Sequence, residues 1–292
     1  MKKIIALLLV CICSFGGVLS ASAAGSSAEN TATIQQIRNA TLKISYGGKR
    51  FLVDPLFAPK HTYEPVKDSF NPFQLQPLVD LPVPIKELLD VDAVILTHLH
   101  GDHFDEAAIK ALPKNIKIFT QDEIDAEALR GHGFTNLEIL QYTGNKFGDV
   151  TIIKTDCVHG EKESVMPYYE ERGIRWEASG FILKHSASKT VYVAGDTIWS
   201  DPVKYALRFF NPDVVVVNAA DAQFLTSGSI IMGLKDLAEV IKETPDNVKI
   251  IVSHLDAVGH AMVGRKEVRR FVQDHNHVSK VLIPEDGERL HF

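Results

Sequence analysis

Cysteine is nearly missing from this chain: there are three in 292 residues, and Cys11 and Cys13 both fall in an apolar run near the N-terminus. Beyond that run Cys157 stands alone, which excludes an intramolecular disulfide framework and leaves stability to a packed core. Basic charge is also scarce, with 31 Lys and Arg against 37 Asp and Glu. That balance lacks the basic surface that phosphate-backbone binding requires and excludes nucleic acid as the main partner. Long hydrophobic runs occur in one place only. Lys2 and Lys3 precede Ile4 to Val10, the stretch continues through Ile12, Phe15, Val18 and Leu19, and Ala21-Ser22-Ala23 supplies the small residues that a signal peptidase reads. The run is shorter than the ~20 residues of a membrane span, and Gly25-Ser26-Ser27 follows it instead of a basic flank. Val10 and Ile12, ahead of the two cysteines, are bulkier than lipoprotein processing prefers. Residues 1–23 are therefore expected to be a cleaved export signal, with no stable membrane anchor and a periplasmic or secreted product. Losing Lys2 and Lys3 takes the formal net charge from −6 to −8.

What remains is an ordinary globular composition, 45% hydrophobic, with no repeat, low-complexity block or linker, so residues 24–292 read as one domain. Strand-like segments open it at Thr33–Ile37, Ala40–Tyr46 and Arg50–Asp54, with Gly47-Gly48 as a tight hairpin turn. Pro55 to Pro84 has no clean period and reads as a long ordered loop lying over something. Alternating units follow. Helices are expected at Ile85–Leu89, Asp105–Ala111, Asp122–Arg130, Ile231–Ile241 and Arg265–Asp274. Strands are expected at Ala93–Leu96, Lys117–Thr120, Leu137–Tyr142, Val150–Val158, Gly180–Lys184, Thr190–Ala194, Val214–Val217, Val248–Val252 and Lys280–Ile283. Mixed strands followed by strand–helix alternation predict a layered α/β architecture.

The chemistry is concentrated in Thr97-His98-Leu99-His100-Gly101-Asp102-His103, directly after the apolar Ala93-Val94-Ile95-Leu96. Imidazole and carboxylate are the usual donors of hydrolytic metal sites. His98 and His100 share a side on extended backbone, and Asp102 and His103 follow the bend at Gly101, where they can face a second ion. Three further candidates, His159, Asp196 and His254, each lie just past an apolar strand. Sites of open α/β sheets form outside the carboxyl ends of strands, so four segments deliver metal-type side chains to one edge.

This set, His98-x-His100-x-Asp102-His103 with His159, Asp196 and His254, resembles the ligands of the metallo-β-lactamase superfamily. The opening hairpin ending Leu52-Val53-Asp54-Pro55 and the closing Ile283-Pro284-Glu285-Asp286-Gly287-Glu288 resemble the branch of ascorbate-6-phosphate lactonases and N-acylphosphatidylethanolamine phospholipase D-type hydrolases. The resemblance implies a four-layer αβ/βα sandwich, with two mixed sheets face to face, helices outside and metals at one rim. It implies two divalent ions, with zinc as the expected metal and manganese or iron compatible with the same donors. His98, His100 and His159 would hold the first, Asp102, His103 and His254 the second, and Asp196 would bridge them. Ions roughly 3.5–4 Å apart lower the pKa of a shared water toward ~7, giving a hydroxide that attacks carbonyl carbon or phosphorus. Asp196 at the bridging position argues against β-lactam hydrolysis. Cys157 reads as a strand residue and not a ligand.

The expected activity is hydrolysis of a small lactone or ester, with phosphodiester hydrolysis as the alternative. A non-catalytic metal-binding protein on the same fold is the reading from a different class. Asp54 would orient a ligand histidine from behind or cap the turn at Pro55. Asp102, Asp256 and His260 are the candidate catalytic groups, the last two as general acids. Tyr168, Arg175 and Trp176 leave the segment after His159, and Trp199 follows Asp196 by three residues. These four are candidate substrate-binding residues, with Arg172 and Arg175 suggesting an anionic substrate.

Overall fold

The computed structural model describes residues 32–292, and the expected export signal at 1–23 lies outside the described residues. Two seven-stranded sheets carry the fold. The first runs, in spatial order, β16 (Arg289–His291), β1 (Thr33–Arg38), β2 (Thr41–Tyr46), β3 (Lys49–Val53), β4 (Ala93–Ile95), β5 (Lys117–Thr120) and β6 (Leu137–Ile139). The second runs β15 (Val281–Leu282), β14 (Lys249–Ser253), β11 (Val214–Asn218), β10 (Val191–Val193), β9 (Ser179–Lys184), β8 (Val150–Asp156) and β7 (Asn145–Phe147). Each sheet is mixed in the same way. Strands β16 to β3 pair antiparallel and β3 to β6 parallel, while β7 to β10 pair antiparallel and β10 to β15 parallel.

Side chains alternate across each strand, so every strand feeds two apolar layers. Phe51, Val53, Ile95, Val191, Val193, Val214 and Val216 point between the sheets and form one core. Their neighbours Leu52, Val94 and Ile118 face outward under α1 (Ile85–Leu88), α2 (Glu106–Ala111) and α3 (Glu123–Gly131). On the other side Tyr192, Val215, Val217 and Ile250 face outward. They lie under α4 (Lys162–Arg172), α5 (Asp201–Phe210), α6 (Leu234–Glu243) and α7 (Arg265–Asp274). The result is the expected αβ/βα sandwich. A charge placed at Val216 would be stranded between the sheets without a partner, at a cost of several kcal/mol.

The hairpin at Gly47-Gly48 forms with both residues at positive φ, as a two-residue turn of this hand requires. The loop after Asp54 does cover something. Buried Arg38 donates to the carbonyls of Leu56, Ala58 and Val79, which ties the loop down over the rim of the first sheet. Strands β7 and β16 were not expected, and three helices also differ from expectation. Residues 162–172 are helical despite Pro167, which lacks the N–H that would bond the preceding turn. Residues 201–210 form α5, with Pro202 pre-set for a first helical turn. The helix expected from Ile231 begins at Leu234, because Ile231 and Met232 are buried in extended chain ahead of Gly233. A short hairpin, β12 (Gln223–Phe224) with β13 (Gly228–Ser229), stands apart from both sheets.

Candidate metal centre and adjoining cavity

Strands β3, β4, β8, β10, β11 and β14 all end at one rim, and the residues just past them converge. His98, His100 and His159 form one group whose donor atoms lie within 4.8 Å of one another, and Asp102, His103 and His254 form another. His98, His103 and Asp196 form a third group that joins the first two. The Asp196 carboxylate sits between them: its Oδ2 is 3.1 Å from His103 Nε2, 3.7 Å from His159 Nε2 and 3.9 Å from His254 Nε2.

Four of the five rings are contacted from behind, whereas His254 Nδ1 is buried without a partner among the described residues. His159 Nδ1 donates to Ile230 O at 2.8 Å, leaving the Nε2 lone pair inward, while His100 Nε2 donates to Arg175 O at 2.6 Å, leaving Nδ1 inward. His103 Nδ1 donates to Asp54 Oδ2 at 2.9 Å. His98 Nδ1 contacts Thr97 Oγ1 at 3.0 Å, and that hydroxyl donates to Asp54 Oδ2 at 2.6 Å. Asp54 thus lies behind two of the rings, where the sequence offered orientation or a turn cap. Asn218 Nδ2 donates to Asp196 Oδ1 at 2.7 Å, and Asn39 Nδ2 donates to Asp102 O at 3.0 Å.

This arrangement leaves ring nitrogens facing each other. His100 Nδ1 and His159 Nε2 are 3.3 Å apart, and His103 Nε2 and His254 Nε2 are 3.2 Å apart. His98 Nε2 is buried with no hydrogen-bond partner among the described residues. Acceptors packed this way are satisfied by a cation between them, so the donor set fits divalent metal. The electrostatics agree. Burial holds His98 and His159 below the ordinary histidine range and lowers His100 to about 4, keeping them neutral. Burial also opposes charge on His103, yet Asp196 and Asp102 overcome it and raise that ring well above the usual value. Positive charge is drawn to the point where the two groups of ligands meet.

Some of the chain's positive-φ residues lie here. His254 and Asp54 adopt left-handed φ of 65° and 43°, conformations that non-glycine residues take at some cost. Gly195, at φ +70°, turns the chain into Asp196, and a Cβ there would lie 2.5 Å from Ser179 O. Gly101 needs no such licence: its φ is ordinary and a Cβ would meet open space.

A cavity of about 540 Å³ opens on the cluster. His100, Asp102, His159 and Asp196 line its floor, and Leu56, Val66, Tyr168, Phe224, Ile230 and Val258 supply apolar wall. Tyr168 stacks on Phe224 with centroids 3.7 Å apart, and His260 stacks on the same phenylalanine at 5.9 Å. No lysine or arginine lines the cavity among the described residues.

Several candidates lie elsewhere. Arg175 presents its backbone carbonyl to His100, while its guanidinium is held by Asp122, Asp125 and Glu177. Arg172 pairs with Asp68 and Glu171 and lies 4.0 Å over the Tyr168 ring. Neither arginine is free to grip an anion as expected. Trp176 Nε1 donates to His159 O at 2.8 Å and lines a separate small depression. Trp199 packs on the helical side of the second sheet. Asp256 is bound to Arg265 at 2.8 Å on another surface, which removes it as a general acid. Cys157 Sγ donates to Ala194 O and is outside the cluster.

Residues 49–254 match the beta-lactamase superfamily domain. The chain belongs to this superfamily. It is 42% identical over 260 residues to the UPF0173 protein YddR of Bacillus subtilis strain 168, covering 89% of this chain and 99% of that protein. Among solved structures, an isothiocyanate hydrolase from Delia radicum gut bacteria superposes with a TM-score of 0.85 at 42% identity, covering 89% of this chain and 99% of that one. A possible metal-dependent hydrolase from Veillonella parvula DSM 2008 gives 0.84 at 39%, covering 90% and 99%. The chain is accordingly a metal-dependent hydrolase of the superfamily, with a His/Asp cluster able to bind metal.

Reading the sequence alone passes over Asn39, Thr97, Asn218 and Phe224 as site residues, and it offers Tyr169 only as an aromatic beside Tyr168 that could wall a pocket. Asn218 ends a parallel strand at the same rim and could have been found by the rule that found Asp196. Phe224 carries no such signal, since it lies on a two-residue strand.

Proposed function

We propose that this chain is a dinuclear hydrolase of small, uncharged, largely apolar electrophiles, of which an isothiocyanate is the leading class. The observation that carries this reading is the cavity: about 540 Å³ of mainly apolar wall over the ligand cluster, with no cation among the described lining residues to receive an anion. The 42% identical isothiocyanate hydrolase adds the chemical class. A phosphodiester would have to enter past Glu64, Asp105 and Glu106, also on the lining, without a compensating base.

His98, His100 and His159 would hold one ion and Asp102, His103 and His254 the other, with Asp196 shared; zinc suits the donors. Ions there supply Lewis acidity and lower the pKa of a water toward neutrality. The chain's residues do the rest. Tyr168 and Phe224 shed water from the apolar substituent, concentrating the substrate beside the cluster. Burial lowers His260 to about 4, so at neutral pH its ring is uncharged and offers one N–H and one lone pair, not a spare proton. It serves as a hydrogen-bonding wall residue in place of the expected general acid. Export remains part of the proposal, and N-terminal sequencing of the secreted product should start near Ala24.

The test is a panel assay of the metal-loaded chain with benzyl isothiocyanate, an uncharged lactone and a phosphodiester. Turnover of the isothiocyanate should exceed that of the phosphodiester by about 10²-fold or more in kcat/KM, because charged groups lose more than apolar ones gain in a wall without partners. Preference for the phosphodiester would overturn the reading, and preference for the lactone would keep the uncharged class and replace the isothiocyanate.

A further inference from the structure

Tyr169 is 2% exposed, on α4, and its ring lies against the ligand cluster and the cavity together. It stacks on His100 with centroids 5.5 Å apart and an interplanar angle of 23°, and it meets Phe224 edge-on at 6.1 Å. Its hydroxyl oxygen is buried with no hydrogen-bond partner among the described residues. The adjacent Tyr168 contrasts with it, since that hydroxyl reaches Lys67 O at 3.5 Å. Phenylalanine would fill the same aromatic stack at position 169 without stranding a polar atom, and an unmade buried hydrogen bond costs about 1–3 kcal/mol. Unlike Tyr192, whose buried hydroxyl is also unpartnered but lies off the cavity, Tyr169 is on the cavity lining, where a group arriving with the substrate can supply the partner.

We propose that Tyr169 is a catalytic hydrogen-bond donor, its O–H aimed at the substrate heteroatom that takes up negative charge when the adjoining carbon is attacked. This rests on the hydrolase reading above. For an isothiocyanate, water adds across the C=N bond. The water oxygen bonds to carbon, the π pair moves to nitrogen and sulfur, and the proton lost by the water ends on nitrogen. Tyr169 keeps its own proton throughout and lends only the hydrogen bond. A donor placed where charge develops stabilises the transition state more than the ground state, so its loss lowers kcat more than it raises KM. The neighbouring rings hold the phenol in place, sparing it reorganisation during the reaction.

Tyr169→Phe retains the ring and the stack, so it separates the hydroxyl from the packing. In the metal-loaded full chain, kcat on benzyl isothiocyanate should fall about 10²-fold, with KM within roughly twofold and with metal content and melting temperature no lower than in the parent. Equal kcat in parent and variant would assign the hydroxyl to packing alone and overturn the proposal. Binding of N-benzylthiourea, a stable compound with sulfur on a trigonal carbon, supplies a second reading independent of turnover. The variant should bind it about tenfold more weakly. If the parent hydrolyses no isothiocyanate, the substrate assignment fails by itself, and the thiourea comparison then decides the role of Tyr169: weaker binding upholds the donor, and equal binding removes it.

Discussion

The rim and the wall of the cavity are built by different means. At the rim, His98, Asp196, Asn218 and His254 stand just past or at the ends of strands whose neighbours are locked by ladder pairing and by core on both faces. Over the cavity, Tyr168, Tyr169 and Phe224 come from a helix and a short hairpin outside both sheets. That wall is tied to the loop after Asp54 by single contacts, such as Arg172 with Asp68 and Leu225 N with Asp68 O. The rim is held by strand pairing, whereas the wall is held by side-chain packing on the helical side of the second sheet. The metal-type side chains are thereby placed on ladder-paired strand ends, and the apolar groups facing the cavity on elements packed outside the sheets.

Rim and wall should respond differently to substitution, and the largest response should come at Asp196. Asp196→Asn keeps shape but removes the negative charge between the two groups of ligands, and activity should fall on the order of 10²-fold or more on every substrate. Near-normal turnover would place the shared carboxylate elsewhere. A wall change should act differently. Phe224→Ala removes the ring that Tyr168 and His260 stack on, and it should raise KM for an apolar substrate roughly tenfold while metal content stays unchanged. Loss of metal in this variant would show that wall and rim are one unit.

The smallest effect is on stability in the metal-stripped protein. Burial keeps His98 and His159 below the ordinary range, and His100 and His260 at about 4, whereas His103 is raised in spite of burial by Asp196 and Asp102. Between the ordinary histidine value of ~6.5 and about 4, the unfolded chain binds protons that four folded rings refuse, so stability falls as pH drops through that window. Above ~6.5 the sign reverses. The folded chain keeps the His103 proton that the unfolded chain has released, and stability falls as pH rises toward the raised value. The melting temperature of the stripped protein should peak near pH ~6.5, and a steady rise toward acid pH would contradict this balance.

The rim was legible in the sequence because strand ends announce themselves. Apolar runs such as Val191-Tyr192-Val193-Ala194 are followed at once by Gly195-Asp196, and the same pattern yields His98 and His254. Asp54 was legible for the same reason. The wall was not. Pro167 and the near-uniform polarity of residues 162–172 hide a helix, and nothing local in Gln223-Phe224 says that this phenylalanine meets Tyr168. Arg175 shows the reverse failure. Its position after His159 suggested an anion grip, but Asp122 and Asp125, some fifty residues earlier, claim the guanidinium. Asp256 was likewise claimed by Arg265, nine residues on, across a turn that no periodicity marks. Partners brought together by tertiary folding decide these side chains, and spacing along the chain does not display them.

Two groups of ligands converge at one rim, and the proposed function has each of them hold an ion. Elemental analysis of the purified protein, of His98→Ala and of His254→Ala tests it most directly, since each histidine belongs to a different group. The parent should carry close to two divalent ions per chain and each variant about one, as two separate centres require. Full occupancy in both variants, or a parent that binds a single ion, would contradict it.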